Sequence, residues 1–529
     1  MLHTLPGAMA LLLSSLAASD PAGLAVVDGD REFTWSEANS FVNRATNALL
    51  AMDLAETRRI SVFARNAAEV VLLHFAALCA GVSSVPTSSL LGSDELAYIL
   101  TDSDAGAVFA GPETLDVAVA AARSAGVRRV VAWRVDHTRA DDLCTDDVRV
   151  QTLDSLLSGV PDEAPTTWQE PRLPLLYTSG TTGRPKGTHI RTFPPALDTV
   201  AEWIPTLGPA LTAAGKAHLV VGPLHHTGPF ISLRYFASGS TVVVLQRFDA
   251  EQLLALIDRY RVATSLMVPT HFTRLLALPK ETRDRFDVSS LEWVAHTGAA
   301  TPIEVKRAMI EWFGPVLSEA YGASESGTVC SISSTEWLEH EGSVGRCTPG
   351  FDVLVLDDEG NELPRGAAGR LFFVDKTGRG IVYHNDPAKT QSVHIRPGVF
   401  TIGEVGYVDA DGYVFITDRT SDMVVSGGVN IYPAEAEQVL VQHPGVRDCG
   451  GVGVPNPDLG EELRMLVEPA DPAAPPSIEE LAAFCRERLA GYKCPKSYEI
   501  VESVGRTVMG KLDKRSLRRP YWPTDRTIG

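Results

Sequence analysis

Short runs of β-forming residues alternate with helical stretches in two separate parts of this chain. The first part covers residues 59–133, and the second covers residues 218–296. Such alternation is typical of βαβ units, in which helices cover the faces of a parallel sheet, so the sequence predicts an α/β protein with two α/β subdomains. The expected strands are residues 60–63, 107–110, 130–133, 218–221, 241–244, 265–268 and 293–296, and the expected helices are residues 67–80, 115–125 and 250–260.

The segments outside these regions have other patterns. Residues 136–167 are polar and contain proline, so we expect a connector there. Turn sequences at residues 357–361 and 409–413 predict hairpins of a small β subdomain. The chain then returns to mixed α and β patterns, with helices expected at residues 434–442 and 477–490. At 529 residues, the chain is long enough for two or more domains.

The net charge limits the expected binding partners, and the cysteine pattern bears on disulfides, zinc binding and location. The net charge of −19 opposes general binding to nucleic acid or to an anionic membrane, because both would be repelled. The 7 cysteines include no C-x-x-C pair, so neither a disulfide framework nor a zinc site is expected, and a cytoplasmic location is favoured. An apolar run at residues 8–13 has no basic residue before it, which favours a first helix over the alternative of a secretory signal peptide.

A loop at residues 177–188 holds an unusually dense set of phosphate-binding groups. Its glycines allow backbone N–H groups to turn toward an anion, its hydroxyls can donate to phosphate oxygens, and Lys186 adds a positive charge. Lys186 is followed by Gly187 rather than Ser or Thr, so the loop is not a Walker A motif. On composition alone, the alternative is an ordinary hydroxyl-rich surface loop. The residues expected to bind the triphosphate are Thr178, Ser179, Gly180, Thr181, Thr182, Gly183 and Lys186.

This loop closely resembles the signature loop of the adenylate-forming superfamily, which includes acyl-CoA synthetases, firefly luciferase and the adenylation domains of peptide synthetases. The resemblance implies a large N-terminal domain, residues 1–420, made of the two α/β subdomains and the small β subdomain. It also implies a smaller, mobile α+β lid domain, residues 421–529. Further motifs in family order are residues 223–228, 296–300, 319–325, 342–350, 401–407, 426–435 and 508–514.

The resemblance assigns most of these motifs to the nucleotide. Tyr321 can stack on adenine, Ser324 can reach the α-phosphate or the carboxylate, and Glu325 supplies an oxygen ligand for Mg²⁺. Thr178 is expected as a second metal ligand. Glu404 stands where the family carries Asp, and it is expected to accept the ribose hydroxyls from one methylene further out. The other residues assigned to the nucleotide are Gly298, Ala299, Ala300, Glu319, Ala320, Gly322 and Arg419.

Three residues are assigned to catalysis, and they are Ser324, His226 and Lys511. By resemblance, His226 gates the carboxylate pocket, and Lys511 bridges the carboxylate and the α-phosphate during adenylation. The glycines of residues 426–435 would let a thin acceptor pass beside the backbone. The residues considered for the acyl pocket are Trp203, His225, Phe230 and Gly298, and they do not distinguish fatty, aromatic and alicyclic acids.

The resemblance implies an ATP- and Mg²⁺-dependent ligase that activates a carboxylic acid as its adenylate and transfers the acyl group to CoA. The lid cations considered for the CoA phosphates are Arg447, Arg464, Lys493 and Lys496. One alternative is an amide-forming ligase that uses an amino acid or another amine as acceptor. A second alternative, of another class, is a non-catalytic nucleotide-binding protein, and a luciferase-like oxygenase also stays open.

Overall fold

The computed structural model contains two α/β subdomains, a β subdomain and a C-terminal α+β unit, which is the fold class expected from the sequence. The structure describes residues 8–167, 169, 171–178, 185–189, 215–230, 232–419, 422–426, 429–456, 459–489, 491–507 and 510–522. Within these ranges, no helix combines the length and the apolar character needed to cross a membrane. The domain boundary at residue 420 stays a prediction.

Five parallel strands form the sheet of the first subdomain. Strand Ala107–Ala110 and helix Leu115–Ala125 have the bounds predicted from the sequence. In spatial order the strands are Ser83–Ser88, Arg59–Ala64, Ala107–Ala110, Arg129–Ala132 and Arg149–Thr152. The helices of this part of the chain are Trp35–Ala51, Ala68–Cys79, Ser93–Asp102, Leu115–Ala125, His137–Asp142 and Leu153–Leu157.

The expectation of a connector at residues 136–167 is wrong for much of that segment. Strand Arg149–Thr152 is the edge strand of the first sheet and pairs in parallel with Arg129–Ala132. Val150 is its one apolar residue, and it is buried in the core of the first subdomain. An edge strand needs little apolar surface, so its sequence resembles that of a loop.

Nine strands form the sheet of the second subdomain, whose central strands run in parallel. The parallel strands end at one edge of this sheet, where loops can place side chains against a ligand. In spatial order the strands are Arg346–Cys347, Gly327–Ser333, Leu317–Ala323, Trp293–His296, Val262–Met267, Ala217–Val220, Thr241–Val244, Leu24–Asp28 and Arg31–Thr34. The helices are Ala8–Ser19, Thr227–Phe230, Ser232–Ala237, Ala250–Tyr260, Pro269–Leu276, Lys280–Arg283, Ile303–Phe313 and Ser334–Glu339.

The apolar residues before the phosphate loop form a strand whose first two residues are buried. Strand Leu175–Thr178 pairs with strand Lys186–His189 in an antiparallel ladder. Leu175 and Leu176 are buried, and the hydroxyl of Tyr177 donates a hydrogen bond of 2.6 Å to the carboxylate of Asp102. The two ends of the loop are therefore held together by the ladder and anchored to helix Ser93–Asp102.

Both hairpin turns predicted for the β subdomain are present. Residues 409–413 join strand Glu404–Val408 to strand Val414–Arg419, and residues 357–361 follow strand Phe351–Leu356. In spatial order five of its six strands are His394–Arg396, Val399–Phe400, Gly369–Asp375, Glu404–Val408 and Val414–Arg419, while Phe351–Leu356 pairs with Gly369–Asp375. Helix Pro387–Ser392 belongs to the same segment.

The C-terminal unit builds its own core around a sheet of five strands. Both helices predicted for this unit form. Its strands are Val429–Ile431, Val424–Ser426, Gly460–Pro469 and Val446–Asn456 in spatial order, with Ser497–Ile500 paired in parallel to Gly460–Pro469. Its helices are Pro433–Leu440, Ile478–Arg486 and Lys514–Arg518, with short 3₁₀ turns at Gly491–Lys493 and Arg519–Tyr521.

Candidate active site

The two residues expected to bind a metal ion lie side by side. Thr178 ends the strand before the phosphate loop, and Glu325 lies in the turn between strands Leu317–Ala323 and Gly327–Ser333. The Thr178 hydroxyl donates a hydrogen bond of 2.9 Å to Oε1 of Glu325. Tight turns place this carboxylate, because the Ser326 hydroxyl accepts from the N–H of Ala323 at 3.0 Å.

Lys186 lies at the other end of the loop. Burial, followed by the charge of Lys389, lowers the pKa of Lys186, while the carboxylates of Asp386 and Glu325 oppose that shift. The Lys186 ammonium lies 5.8 Å from the centre of the Tyr383 ring. The Glu325 carboxylate, which bonds to Thr178 where the loop begins, therefore also acts electrostatically on Lys186 where the loop ends. The remaining predicted loop residues lie outside the described ranges, and they are Ser179, Gly180, Thr181, Thr182 and Gly183.

The C-terminal Gly-Lys turn contacts the second subdomain. Gly510 has a φ of 72°, a left-handed backbone conformation that favours glycine. A Cβ built on Gly510 would lie 2.9 Å from the Thr270 side chain, so the close packing against Thr270 also favours glycine. The turn is closed by the N–H of Thr507, which donates to the carbonyl of Lys511 at 2.8 Å. Arg506 holds the turn to its own domain through ion pairing with Asp448 at 2.6 Å.

This contact brings Lys511 to His226. Burial, followed by the charge of Lys511, lowers the pKa of His226 to about 4, so its imidazole is neutral at neutral pH. The ring of His225 lies 4.4 Å from that of His226, and burial lowers the pKa of His225 well below its usual value. The charge of Lys511 thus acts on His226, 285 positions earlier in the chain, in the loop after strand Ala217–Val220.

The small residues and the tyrosine expected around adenine lie on neighbouring strands. Gly298, Ala299 and Ala300 follow strand Trp293–His296, which pairs in parallel with strand Leu317–Ala323. Gly298 and Ala299 are half-buried, as are Ala320, Tyr321, Gly322 and Ser324 on the next strand and its turn. A Cβ on Gly322 would lie 1.9 Å from the carbonyl oxygen of Gly327, so a side chain cannot be accommodated there.

Glu319 has its carboxylate engaged inside the protein. The ammonium of Lys306 lies 2.5 Å from Oε2 of Glu319, and both side chains are buried. Burial raises the pKa of Glu319 and lowers that of Lys306, while their mutual attraction opposes both shifts. Lys306 therefore holds Oε2 of Glu319, and the contact of Glu319 with the nucleotide stays a prediction.

Glu404 begins strand Glu404–Val408, which pairs in antiparallel with strand Val414–Arg419. It is 5% exposed, and in the antiparallel register it lies opposite Arg419. The neighbouring Ile402 packs against the same hydrophobic cluster as Tyr321, so the predicted ribose and adenine residues border one core. The backbone of Arg419 is described, whereas its side chain lies outside the described part of the chain.

The structure adds supporting residues that the sequence motifs did not indicate. The side chain of Asn66 accepts from the N–H of Leu224 at 2.8 Å and donates to the carbonyls of Gly222 and Leu245 at 3.0 and 3.1 Å. These bonds hold the loop that presents His226. Asn66 is 158 residues from Leu224 in the chain, and no local pattern signals such a contact.

Family comparisons agree with this arrangement. The family model for AMP-binding enzymes matches residues 14–377, and the model for their C-terminal domain matches residues 435–511. The chain belongs to the AMP-binding enzyme family. It is thus an adenylate-forming, AMP-forming acid ligase of the superfamily that the motifs indicated.

Relatives of this AMP-binding enzyme use different acceptors. A feruloyl-CoA synthase from an Amycolatopsis species is 32% identical over 512 residues, which cover 96% of this chain and 97% of that protein. The fatty acid–[acyl-carrier-protein] ligase ScoC from Streptomyces coeruleorubidus is 30% identical, with coverage of 96% and 95%. The solved structure of the amide bond synthetase McbA from Marinactinospora thermotolerans matches with a TM-score of 0.80 at 26% identity, covering 97% of this chain and 99% of that one.

Proposed function

We propose that this AMP-binding enzyme joins a carboxylic acid to CoA in two steps. In the first step, a carboxylate oxygen attacks the α-phosphorus of ATP, and pyrophosphate leaves. In the second step, the CoA thiol attacks the acyl carbonyl, and AMP leaves. The observation that carries the first step is the contact of Gly510 with Thr270, which brings the charge of the adjacent Lys511 to the half-buried His226.

The Lys511 ammonium can stabilise the negative charge on the carboxylate and α-phosphate oxygens in the adenylation transition state. His226 is neutral at neutral pH, so it can donate a hydrogen bond to the acid or shape its pocket without adding a competing charge. Tyr321 and the small residues after strand Trp293–His296 would hold the adenine, and Ser324 would contact the α-phosphate. Such groups act mainly by positioning the reactants and stabilising charge.

The Thr178 hydroxyl and the Glu325 carboxylate fit Mg²⁺, because both are the hard oxygen donors that this ion prefers. When bound, the ion supplies positive charge for the phosphate oxygens. Thr178 and Glu325 would hold the ion, and Lys186 would add a second positive charge to the same triphosphate.

Glu325→Gln is expected to raise the Mg²⁺ concentration required for pyrophosphate release by about 10-fold or more, because it removes an anionic oxygen ligand. The measurement is a Mg²⁺ titration of pyrophosphate release at saturating ATP. The exposed Glu311→Gln is the matched control and should titrate like the parent enzyme. An unchanged titration for Glu325→Gln would contradict the metal role.

Glu404→Gln is expected to raise the KM for ATP, because loss of a hydrogen bond to a charged group costs about 1.5–3 kcal/mol. Comparison of ATP with 2′-deoxy-ATP makes the test specific to the ribose. In the parent enzyme the missing hydroxyl should reduce kcat/KM, and in the variant this penalty should shrink. Equal penalties in both proteins would show that the ribose is held elsewhere.

CoA as acceptor is supported by the CoA ligase relative and by the cations of the lid. Lys493 pairs with Glu435 at 2.8 Å, Arg447 with Glu468 at 3.5 Å and Arg464 with Glu499 at 3.8 Å. All three pairs are partly exposed to solvent, and exposed ion pairs contribute about 0–1 kcal/mol, so a CoA phosphate can compete for these cations. Lys496 is exposed.

An amide-forming ligase is the second candidate, and the likeness to an amide bond synthetase favours it. The deciding assay supplies one accepted acid with ATP, Mg²⁺ and either CoA or a mixture of amino acids and amines. Products are identified by mass. We expect the thioester with CoA, and amide without thioester would overturn the choice of acceptor while leaving the adenylation step in place.

A further inference from the structure

Cys330 and Cys347 face each other across two neighbouring antiparallel strands, with their Sγ atoms 3.8 Å apart. The N–H of Thr348 donates to the carbonyl of Val329 at 2.9 Å, so the adjacent cysteine pair occupies the non-hydrogen-bonded register. Cα atoms in that register are about 4.5 Å apart, within the range of about 4.4–6.8 Å that disulfides span. A bond between the sulfurs therefore requires side-chain rotation rather than rearrangement of the sheet.

The two thiols differ in access to solvent. Cys330 is fully buried, whereas Cys347 lies on the edge strand and is partly exposed. The thiol of Cys347, followed by burial, raises the pKa of Cys330 well above its usual value. An oxidant from solvent therefore reaches Cys347 first, and Cys330 is placed to react with the product.

We propose that Cys330 and Cys347 form an oxidisable dithiol, which a peroxide converts to an intramolecular disulfide that slows adenylation. Hydrogen peroxide oxidises the Cys347 sulfur to a sulfenic acid and is itself reduced to water. The sulfur of Cys330 then attacks the Cys347 sulfur, hydroxide leaves and takes up the thiol proton as a second water, and the S–S bond forms. A dithiol reductant reverses the change by thiol–disulfide exchange.

The pair borders the strand that carries the predicted adenine residue. Tyr321 lies directly opposite Cys330 in the sheet register, and Tyr321 and Cys347 pack in the same hydrophobic cluster as Cys330. To form the bond, the Sγ atoms must approach from 3.8 Å to about 2.05 Å. The cysteine side chains that move for this lie next to Tyr321. Displacements of this size near bound reactants slow catalysis. This effect on rate rests on the proposed function, whereas disulfide formation does not.

The test treats the full-length protein with hydrogen peroxide, blocks remaining thiols and maps peptides by mass without reduction. We expect a cross-linked peptide that contains Cys330 and Cys347, with a mass lower by two hydrogen atoms, and its loss after dithiothreitol. Absence of this peptide at peroxide levels that oxidise the exposed Cys144 would overturn the proposal.

Pyrophosphate release is then measured on the same samples. Oxidation should reduce the rate several-fold in the parent enzyme, dithiothreitol should restore it, and Cys347→Ser should resist the change. Cys144→Ser is the matched control and should respond like the parent. A verified disulfide with an unchanged rate would overturn the coupling to the site. A reduced enzyme that releases no pyrophosphate with any acid would instead count against the proposed function, and peptide mapping would still test the disulfide.

Discussion

Lys511→Ala is expected to slow acyl-adenylate formation by about 100-fold or more, because it removes a charge-assisted contact to the adenylation transition state. The Gly-Lys turn that carries Lys511 is closed by its own backbone and packs through Gly510 on Thr270. Loss of the ammonium should leave this turn in place. The rate of pyrophosphate release at saturating ATP and acid measures the effect.

The second half-reaction provides the internal control for Lys511→Ala. When the acyl-adenylate is supplied directly, its conversion to product should slow far less than its formation. Lys514→Ala is the matched charge control, since Lys514 lies three residues further on and pairs with Glu437 at 2.8 Å. Equal losses in both half-reactions by a folded Lys511→Ala variant would contradict a role specific to the first step.

Lys306→Met is expected to lower the free energy of unfolding by about 3–5 kcal/mol, because it leaves the buried carboxylate of Glu319 without its ammonium partner. The ammonium also lies 4.6 Å from the centre of the Trp337 ring, a further contact that the variant loses. The pair supports strand Leu317–Ala323, which carries Tyr321. Urea unfolding of the parent and the variant measures the change.

An exposed pair in the same subdomain provides the control for this stability prediction. Lys280 pairs with Asp284 at 2.5 Å across one helical turn, and such pairs contribute about 0.3–0.5 kcal/mol. Lys280→Met should therefore unfold at nearly the parent urea concentration. In the double variant Lys306→Met with Glu319→Leu, much of the lost stability should return, because no unpaired charge remains buried. Equal stability of Lys306→Met and Lys280→Met would refute the importance of the buried pair.

Much of the fold follows from local patterns in the sequence. Strand Ala107–Ala110 and helix Ala250–Tyr260 form as predicted, because buried strands and amphipathic helices each have a characteristic spacing of apolar residues. The edge strand Arg149–Thr152 has one apolar residue, so its sequence predicts part of a connector instead of a strand. The spacing of apolar residues indicates which residues are buried, and an edge strand buries too few apolar residues to show this spacing.

The site could be predicted only as far as its motifs reach. Thr178 and Glu325 each stand in a recognisable motif, and the fold brings them within hydrogen-bond distance. No sequence pattern predicts the contacts of Lys306, Asn66 and the Cys330–Cys347 pair, because each joins different elements and the partners lie 13, 158 and 17 residues apart. Contacts of this kind depend on the tertiary fold, and the sequence motifs do not predict them.

Detection of an acyl-adenylate is the most direct test of the proposed adenylation step. The enzyme is incubated with ATP, Mg²⁺ and a panel of fatty, aromatic and alicyclic acids without CoA or amine, and both the adenylate mass and the released pyrophosphate are measured. We expect an acid-dependent adenylate in equal amount to the pyrophosphate for at least one acid, and neither product at a comparable rate from Lys511→Ala. Pyrophosphate release that does not depend on any acid, or an adenylate formed equally well by Lys511→Ala, would contradict the proposed first step.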